Sequence, residues 1–261
     1  MVNIDDFDAY CFDLDGTIYV GDVILPGVKE TIDRLRRYDK KLLFITNTST
    51  QTREECLHRL QKIGISADLD EIITASFLSA VYFFEQFPKA QIYIVGEKAI
   101  KDEFSRFSLK VIDNPMEATH VIVGLDYSFN YEKLNLAMNA VRNGAKLVAT
   151  NLDPCYPVLK GHVSDTLAIA KAIEVASGKK IDNIIGKPSS FYGSKIIEKL
   201  KILNNRCLII GDRLETDIML GKTNNFRTCL VLTGVTNKKD VEKTKIYPDY
   251  IVDNLHSLLW T

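Results

Sequence analysis

Short apolar runs alternate along the chain with segments whose apolar positions recur at helical spacing. This rhythm predicts an α/β protein with a largely parallel sheet. Residues 10–12 form a buried-strand candidate that ends on Asp13, and Pro26 then opens a helix to about residue 37, with Val28, Ile32 and Leu35 on one face. A strand at 42–45, a helix over 52–63 closed by Gly64, a strand at 72–74 and a helix over 77–87 complete a first series. A second series starts at residue 91, with strands at 92–95, 121–123 and 147–149 and helices over 98–107 and 131–143. Residues 151–161, rich in Pro, Asn and Asp, read as a loop, and 165–177 as a helix. The first rhythm resumes with a strand at 184–185, a helix over 188–203, a strand at 207–210, a helix from 216 and a strand at 228–232. A last strand is expected at 250–252 and a helix over 256–260. The second series is thus read as inserted into the first, with 1–87 and 180–261 forming one domain and 88–179 the other.

Composition narrows the class. The 261 residues carry 33 Lys+Arg against 34 Asp+Glu, a net charge of −1, which gives no footing for a nucleic-acid partner. No apolar run approaches the roughly 18–20 residues that span a bilayer, so no membrane partner is expected. The start of the chain, Met-Val-Asn-Ile-Asp-Asp, lacks the basic and apolar zones of a signal peptide. Five scattered cysteines with no Cys-x-x-Cys read as free, mostly buried thiols. A cytoplasmic, enzyme-sized protein is the expectation.

Chemistry concentrates at strand ends. Phe12-Asp13-Leu14-Asp15-Gly16-Thr17 places two carboxylates where the first strand gives way to a loop, the end at which α/β sheets bind ligands. Ile210-Gly211-Asp212-Arg213-Leu214-Glu215-Thr216-Asp217 repeats the arrangement, with Asp217 around the start of a helix. If the pairs converge, their repulsion is on the order of 4 kcal/mol for each pair at 4 Å and an effective dielectric near 20. A hard cation relieves it, and oxygen-only ligands without His or Cys point to Mg²⁺. Ile45-Thr46-Asn47-Thr48 offers hydroxyl and amide donors to phosphate oxygens, and Gly186-Lys187-Pro188-Ser189 sets an ammonium beside a helix start. Taken singly, each of the four could instead be a cap, a turn or a solvated surface group. Together they describe a pocket for a phosphate dianion.

In this order, the four motifs resemble the haloacid dehalogenase superfamily of aspartate-nucleophile phosphatases. The chain is most similar to its class-IIA-cap branch, the NagD-type and 4-nitrophenylphosphatase-like sugar phosphatases. Leu25-Pro26-Gly27, Gly124-Leu125-Asp126, Ala149-Thr150-Asn151-Leu152-Asp153 and Leu230-Val231-Leu232-Thr233-Gly234 extend the resemblance over nearly the whole chain. It implies a Rossmann-like doubly wound core with an inserted α/β cap. It also implies Asp13 as nucleophile, forming an aspartyl-phosphate, and Asp15 as general acid and base with the more raised pKa of the two. Thr46, Asn47 and Lys187 would hold the phosphoryl group; Asp13, Asp212 and the Asp15 carbonyl would ligate Mg²⁺, with Asp217 orienting its waters. Cap loops would choose the substrate, a small phosphorylated metabolite, through candidates Asp153, Tyr156, Lys160 and His162. Each of these four could equally be a solvated loop residue. Homodimers pairing through the cap are a further implication. The chain departs from many relatives at Val163-Ser164-Asp165-Thr166 and at Thr48.

Two other readings stay open on the residues alone. A sugar hydroxyl in place of water would make the chain a phosphotransferase or mutase, and a non-catalytic receiver-like module would carry a long-lived phospho-aspartate at Asp13. Trp260 and the cluster Tyr82, Phe83, Phe84 and Phe87 read as core or hinge packing. His58, His256 and residues 238–240 read as solvated.

Overall fold

The structure, a computed structural model, describes residues 2–158 and 160–258. Trp260, and with it the end of the expected last helix, lies outside them. In chain order the first lobe supplies β1 (Ala9–Phe12), a small hairpin of β2 (Tyr19–Val20) and β3 (Val23–Ile24), α1 (Val28–Arg37), β4 (Lys41–Thr46), α2 (Arg53–Lys62), β5 (Ile72–Thr74) and α3 (Ala75–Gln86). Next come β6 (Gln91–Val95), α4 (Lys98–Arg106), β7 (Lys110–Val111), β8 (His120–Val123), α5 (Tyr131–Arg142), β9 (Lys146–Ala149), β10 (Cys155–Val158), β11 (Gly161–Ser164), α6 (Thr166–Ser177) and β12 (Asn183–Ile184). The chain returns through α7 (Ser190–Leu200), β13 (Cys207–Gly211), α8 (Met219–Thr223), β14 (Arg227–Val231), α9 (Lys238–Thr244) and β15 (Tyr250–Val252).

The first sheet is parallel, in the order β15-β14-β13-β1-β4-β5. Its period-two alternation is nearly all apolar, because helices cover both faces. Tyr10, Phe12, Leu42, Phe44, Leu208 and Ile210 enter one core cluster, while Ala9, Cys11, Leu43, Ile45, Cys207 and Ile209 enter the opposite one. From β1 the chain proceeds to β4 on one side and returns at β13 on the other. The switch point therefore lies at the carboxyl ends of these three central strands, where an open α/β sheet leaves a crevice.

The second sheet is also parallel, in the order β12-β9-β8-β6-β7. Its apolar face continues the second cluster: Ile92, Ile100, Phe104 and Ile122 pack with Phe83 of α3 and with Tyr192 and Ile196 of α7. The aromatic cluster does lie at this junction, where the Phe83 ring meets Phe104 at 5.5 Å and His120 at 5.2 Å. Phe84, by contrast, is half exposed.

Several local expectations need correction. The strand expected to resume the first series is β12, and it pairs with β9 in the second sheet, so that sheet extends past residue 179. Its two half-buried residues carry no signature of which sheet they will join. Residues 151–161 are not all loop: β10 and β11 form an antiparallel ribbon, invisible in the hydrophobic pattern because β11 buries almost nothing. Before α8 the chain makes a π-helical turn, Leu214–Ile218. Among the described residues, the start of the expected last helix is a 3₁₀ turn at Leu255–Ser257. All five cysteines are free, and four are buried. Among the described residues no helix is long and apolar enough to cross a membrane.

Candidate active site

Asp13 is the first residue beyond β1, and its N–H donates to the Ile210 carbonyl at 2.8 Å, which holds it level with the end of β13. The chain then turns sharply. The Leu14 carbonyl accepts from the N–H groups of Thr17, Ile18 and Tyr19 at 3.2, 2.8 and 3.2 Å. Gly16 makes the turn possible: its φ is +92°, and a Cβ there would stand 2.6 Å from Asp212 Oδ2. The turn leaves the Asp15 side chain at the same mouth, 34% exposed, with Arg59 Nη2 at 3.8 Å.

Asp212 and Asp217 arrive from β13. The Val235 N–H donates to Asp212 Oδ2 at 2.7 Å, while Asp212 Oδ1 is buried with no hydrogen-bond partner among the described residues. The π-helical turn carries Asp217 back over the strand end, where its Oδ2 accepts the Arg213 N–H at 3.2 Å. Lys187 Nζ lies between two carboxylates, donating to Asp13 Oδ1 and to Asp217 Oδ1 at 2.6 Å each. The Lys187–Pro188 peptide is cis. Pro188 precedes α7 rather than opening it, and Ser189 provides the cap.

One ammonium thus faces three buried carboxylates. Oxygens of Asp13, Asp212 and Asp217 lie within 4.8 Å of one another. Burial pushes Asp212 up to about 7, with Asp217 adding repulsion. Burial likewise pushes Asp13 well above the carboxylate range, Lys187 opposing and Asp217 and Asp212 reinforcing. Burial alone would lower Lys187, but Asp13 and Asp217 more than reverse it, so the ammonium is held charged. Asp15 is also raised, by burial against the pull of Arg59. Both Asp13 and Asp15 are therefore raised, each mainly by burial. An orphaned buried carboxylate oxygen, excess negative charge and an all-oxygen donor set fit a hard divalent cation.

Thr46 ends β4 opposite Asp13. Its Oγ1 accepts the Thr48 N–H at 3.1 Å, which leaves the hydroxyl proton to donate elsewhere. The Asn47 side chain is fully engaged: Oδ1 accepts the Lys187 N–H at 2.8 Å, and Nδ2 donates to the Lys187 carbonyl at 3.2 Å and to Asp153 Oδ2 at 2.9 Å.

Comparison with known proteins gives the family. A family model for haloacid dehalogenase-like hydrolases matches residues 10–110, and a HAD-hydrolase-like model matches 184–258. The sugar-phosphatase AraL of Bacillus subtilis is 31% identical over 243 residues, covering 93% of this chain and 89% of that protein. The 4-nitrophenylphosphatase of Thermotoga maritima superposes with a TM-score of 0.92 at 32% identity, covering 98% of this chain and 97% of that one. NagD of E. coli K-12 superposes at 0.87 with 27% identity, covering 96% and 97%. The chain belongs to the haloacid dehalogenase-like hydrolases. Within them it is a phosphatase of the NagD type.

The second lobe of this hydrolase faces the strand ends across a half-open cavity of about 750 Å³ lined by both. Ser49 Oγ accepts the Leu125 N–H at 3.0 Å, and Arg213 Nη2 donates to the Cys155 carbonyl at 2.5 Å, so the core grips the lobe on two sides of the mouth. Of the four candidate cap residues, Asp153 and Tyr156 line the cavity, the Tyr156 hydroxyl 2.7 Å from that of Tyr127. Asp153 is buried, which removes the solvated-loop alternative for it. Lys160 and His162 are exposed on the ribbon and do not line the cavity. His58 is exposed as expected, though at the cavity rim.

Sequence reasoning missed Arg59, Tyr127, Asn151 and Arg213. Arg213 did carry a signal, since it directly follows a metal-ligand candidate. Arg59 stacks 3.9 Å over the Tyr19 ring and donates to the Gly21 carbonyl at 2.6 Å, contacts that no local pattern announces.

Proposed function

We propose that the chain is a Mg²⁺-dependent phosphatase of sugar phosphates that works through an aspartyl-phosphate on Asp13. The single observation that carries the reading is the buried group of Asp13, Asp212, Asp217 and Lys187 at one switch point, with Thr46 facing it. Sugar phosphates are favoured because the relative in B. subtilis is a sugar phosphatase and the cavity leaves room beyond the phosphate for a polar leaving group.

Asp13 attacks phosphorus in line, and the bond to the leaving oxygen breaks as the new P–O bond forms. Asp15, raised by burial and beside the exposed mouth, donates its proton to that oxygen. Once the alcohol departs, Asp15 takes a proton from water, which attacks the aspartyl-phosphate and restores Asp13. Lys187 and the Thr46 hydroxyl stabilise charge on the phosphoryl oxygens throughout, as does the Asn47 N–H. The Asn47 amide is already spent on Lys187 and Asp153, so only its main chain is available. A magnesium ion held by Asp13, Asp212 and the Asp15 carbonyl would offset the surplus negative charge, with Asp217 supporting it from Lys187 and the Arg213 N–H.

The test is release of inorganic phosphate from 4-nitrophenyl phosphate and from a panel of sugar phosphates. Activity should require magnesium, and Asp13→Asn should lower kcat by at least about 10⁴, a typical cost of losing a nucleophile. Retention of wild-type activity by Asp13→Asn would falsify the assignment.

A further inference from the structure

The inserted lobe contributes a carboxylate at the edge of the cavity that is bonded to the catalytic machinery. Asp153 lies four residues beyond β9 and is buried. Its Oδ2 accepts two amides, Asn47 Nδ2 at 2.9 Å and Asn151 Nδ2 at 2.8 Å, while Oδ1 lies 3.9 Å from the Arg213 guanidinium. In Asp153 the protein's own amides use one oxygen, and a core guanidinium faces the other.

What this oxygen fixes is the Asn47 amide, and that amide grips Lys187 at both ends. It accepts from the Lys187 N–H at 2.8 Å and donates to the Lys187 carbonyl at 3.2 Å. Each proton of Asn47 Nδ2 therefore has its own acceptor, one on Lys187 and one on Asp153. The main chain approaches closely here. The Gly186 N–H donates to the Thr150 carbonyl at 2.7 Å, and a Cβ on Gly186 would stand 2.6 Å from both Asn47 Oδ1 and the Thr150 carbonyl oxygen.

We infer that Asp153 is a positioning residue: through the Asn47 amide it holds the main chain of Lys187 so that the ammonium stays between Asp13 and Asp217. Without Asp153, one Asn47 donor is left unpaired beside a buried main chain, and the amide is free to turn. The ammonium then loses its fixed anchor, and a displacement near 1 Å at a phosphoryl-transfer site costs about a hundredfold in rate. Because Asp153 belongs to the inserted lobe, the geometry of the core lysine depends on that lobe being seated. The inference rests on the phosphatase reading of Lys187.

The test compares wild type, Asp153→Ala, Asp153→Asn and Asn47→Ala on 4-nitrophenyl phosphate at saturating magnesium, with kcat taken per folded molecule from thermal melts. Asp153→Ala should lower kcat roughly ten- to a hundredfold with KM changed less than about threefold. Asp153→Asn can still present one oxygen to both amides and should recover to within about fivefold of wild type. Asn47→Ala cuts the same link from the core side and should match Asp153→Ala; it carries the test should Asp153→Ala not fold. Combining both alanines should cost little more than either alone. An inactive wild type would sink the phosphatase reading itself. With an active wild type, three results overturn the role of Asp153 alone: a risen KM at unchanged kcat, no rescue by asparagine, or additive losses in the double variant.

Discussion

Replacing Lys187 by Met tests the electrostatic core of the site with little change in volume. Both ion pairs measure 2.6 Å, and the lysine side chain is only 2% exposed. At that distance and an effective dielectric near 20, each contact is worth about 6 kcal/mol before desolvation is charged against it. Desolvation takes back much of this, and breaking a buried pair by removing one partner typically costs about 3–5 kcal/mol net. The loss should depend on pH. Lys187 has a raised folded pKa, so its own contribution is complete below its unfolded value near 10.5 and is constant between pH 5 and 8. Asp13 and Asp212 are raised as well, mainly by burial, with Lys187 restraining both. Without the ammonium they rise further. An acid raised on folding binds more protons folded than unfolded, so it stabilises below its unfolded value and loses that stability as pH climbs through the folded one. Every unit of additional rise that falls between pH 5 and 8 adds about 1.4 kcal/mol to the cost at the upper pH.

Urea unfolding in chelator, at both pH values, measures this directly. Lys187→Met should lose about 3–5 kcal/mol at pH 8 and on the order of 1–3 kcal/mol less at pH 5. It should also lose about 10²–10³ in kcat, the usual cost of deleting one charge-stabilising donor. An equal loss at both pH values, or a larger loss at pH 5, refutes the argument that the carboxylates compete for protons around this lysine.

Magnesium should raise the melting temperature more at pH 8 than at pH 5, because Asp212, pushed up to about 7, must shed its proton to become a ligand. Scanning fluorimetry with magnesium and with chelator checks this, and a larger shift at pH 5 argues against it. Gly16→Ala should cost about 1–3 kcal/mol of stability from its left-handed φ and cut activity sharply, since the new Cβ would meet the Asp212 carboxylate at 2.6 Å. Urea unfolding and phosphate release measure both effects.

The elements most legible in the sequence were those that bury themselves by local pattern. The central strands read correctly because each is a run of apolar residues long enough to fill both faces of a parallel sheet, and the helices because their apolar positions recur at helical spacing, as Val28, Ile32 and Leu35 do in α1. Short elements at the edges did not read. β12 has two half-buried residues, and β11 has three exposed ones out of four, so their pairing is decided by main-chain partners in a sheet already built. Hydrophobic period cannot announce such pairing.

The same division runs through the site. Asp13, Thr46 and Asp212 were legible because each stands where an apolar run stops, and strand ends converge whenever strands are adjacent and parallel. Asp153 was singled out for contact with substrate, and it lines the cavity; its bonds to Asn47, more than a hundred residues upstream, and to Asn151 were not legible. Whether a polar loop residue faces a ligand or the protein depends on which donors the tertiary fold brings beside it. In this chain the donor is an amide that also holds both main-chain groups of Lys187. A site built this way couples the seating of the second lobe to the charge arrangement in the first, because the ammonium that faces the phosphate takes its position partly from a carboxylate across the lobe boundary.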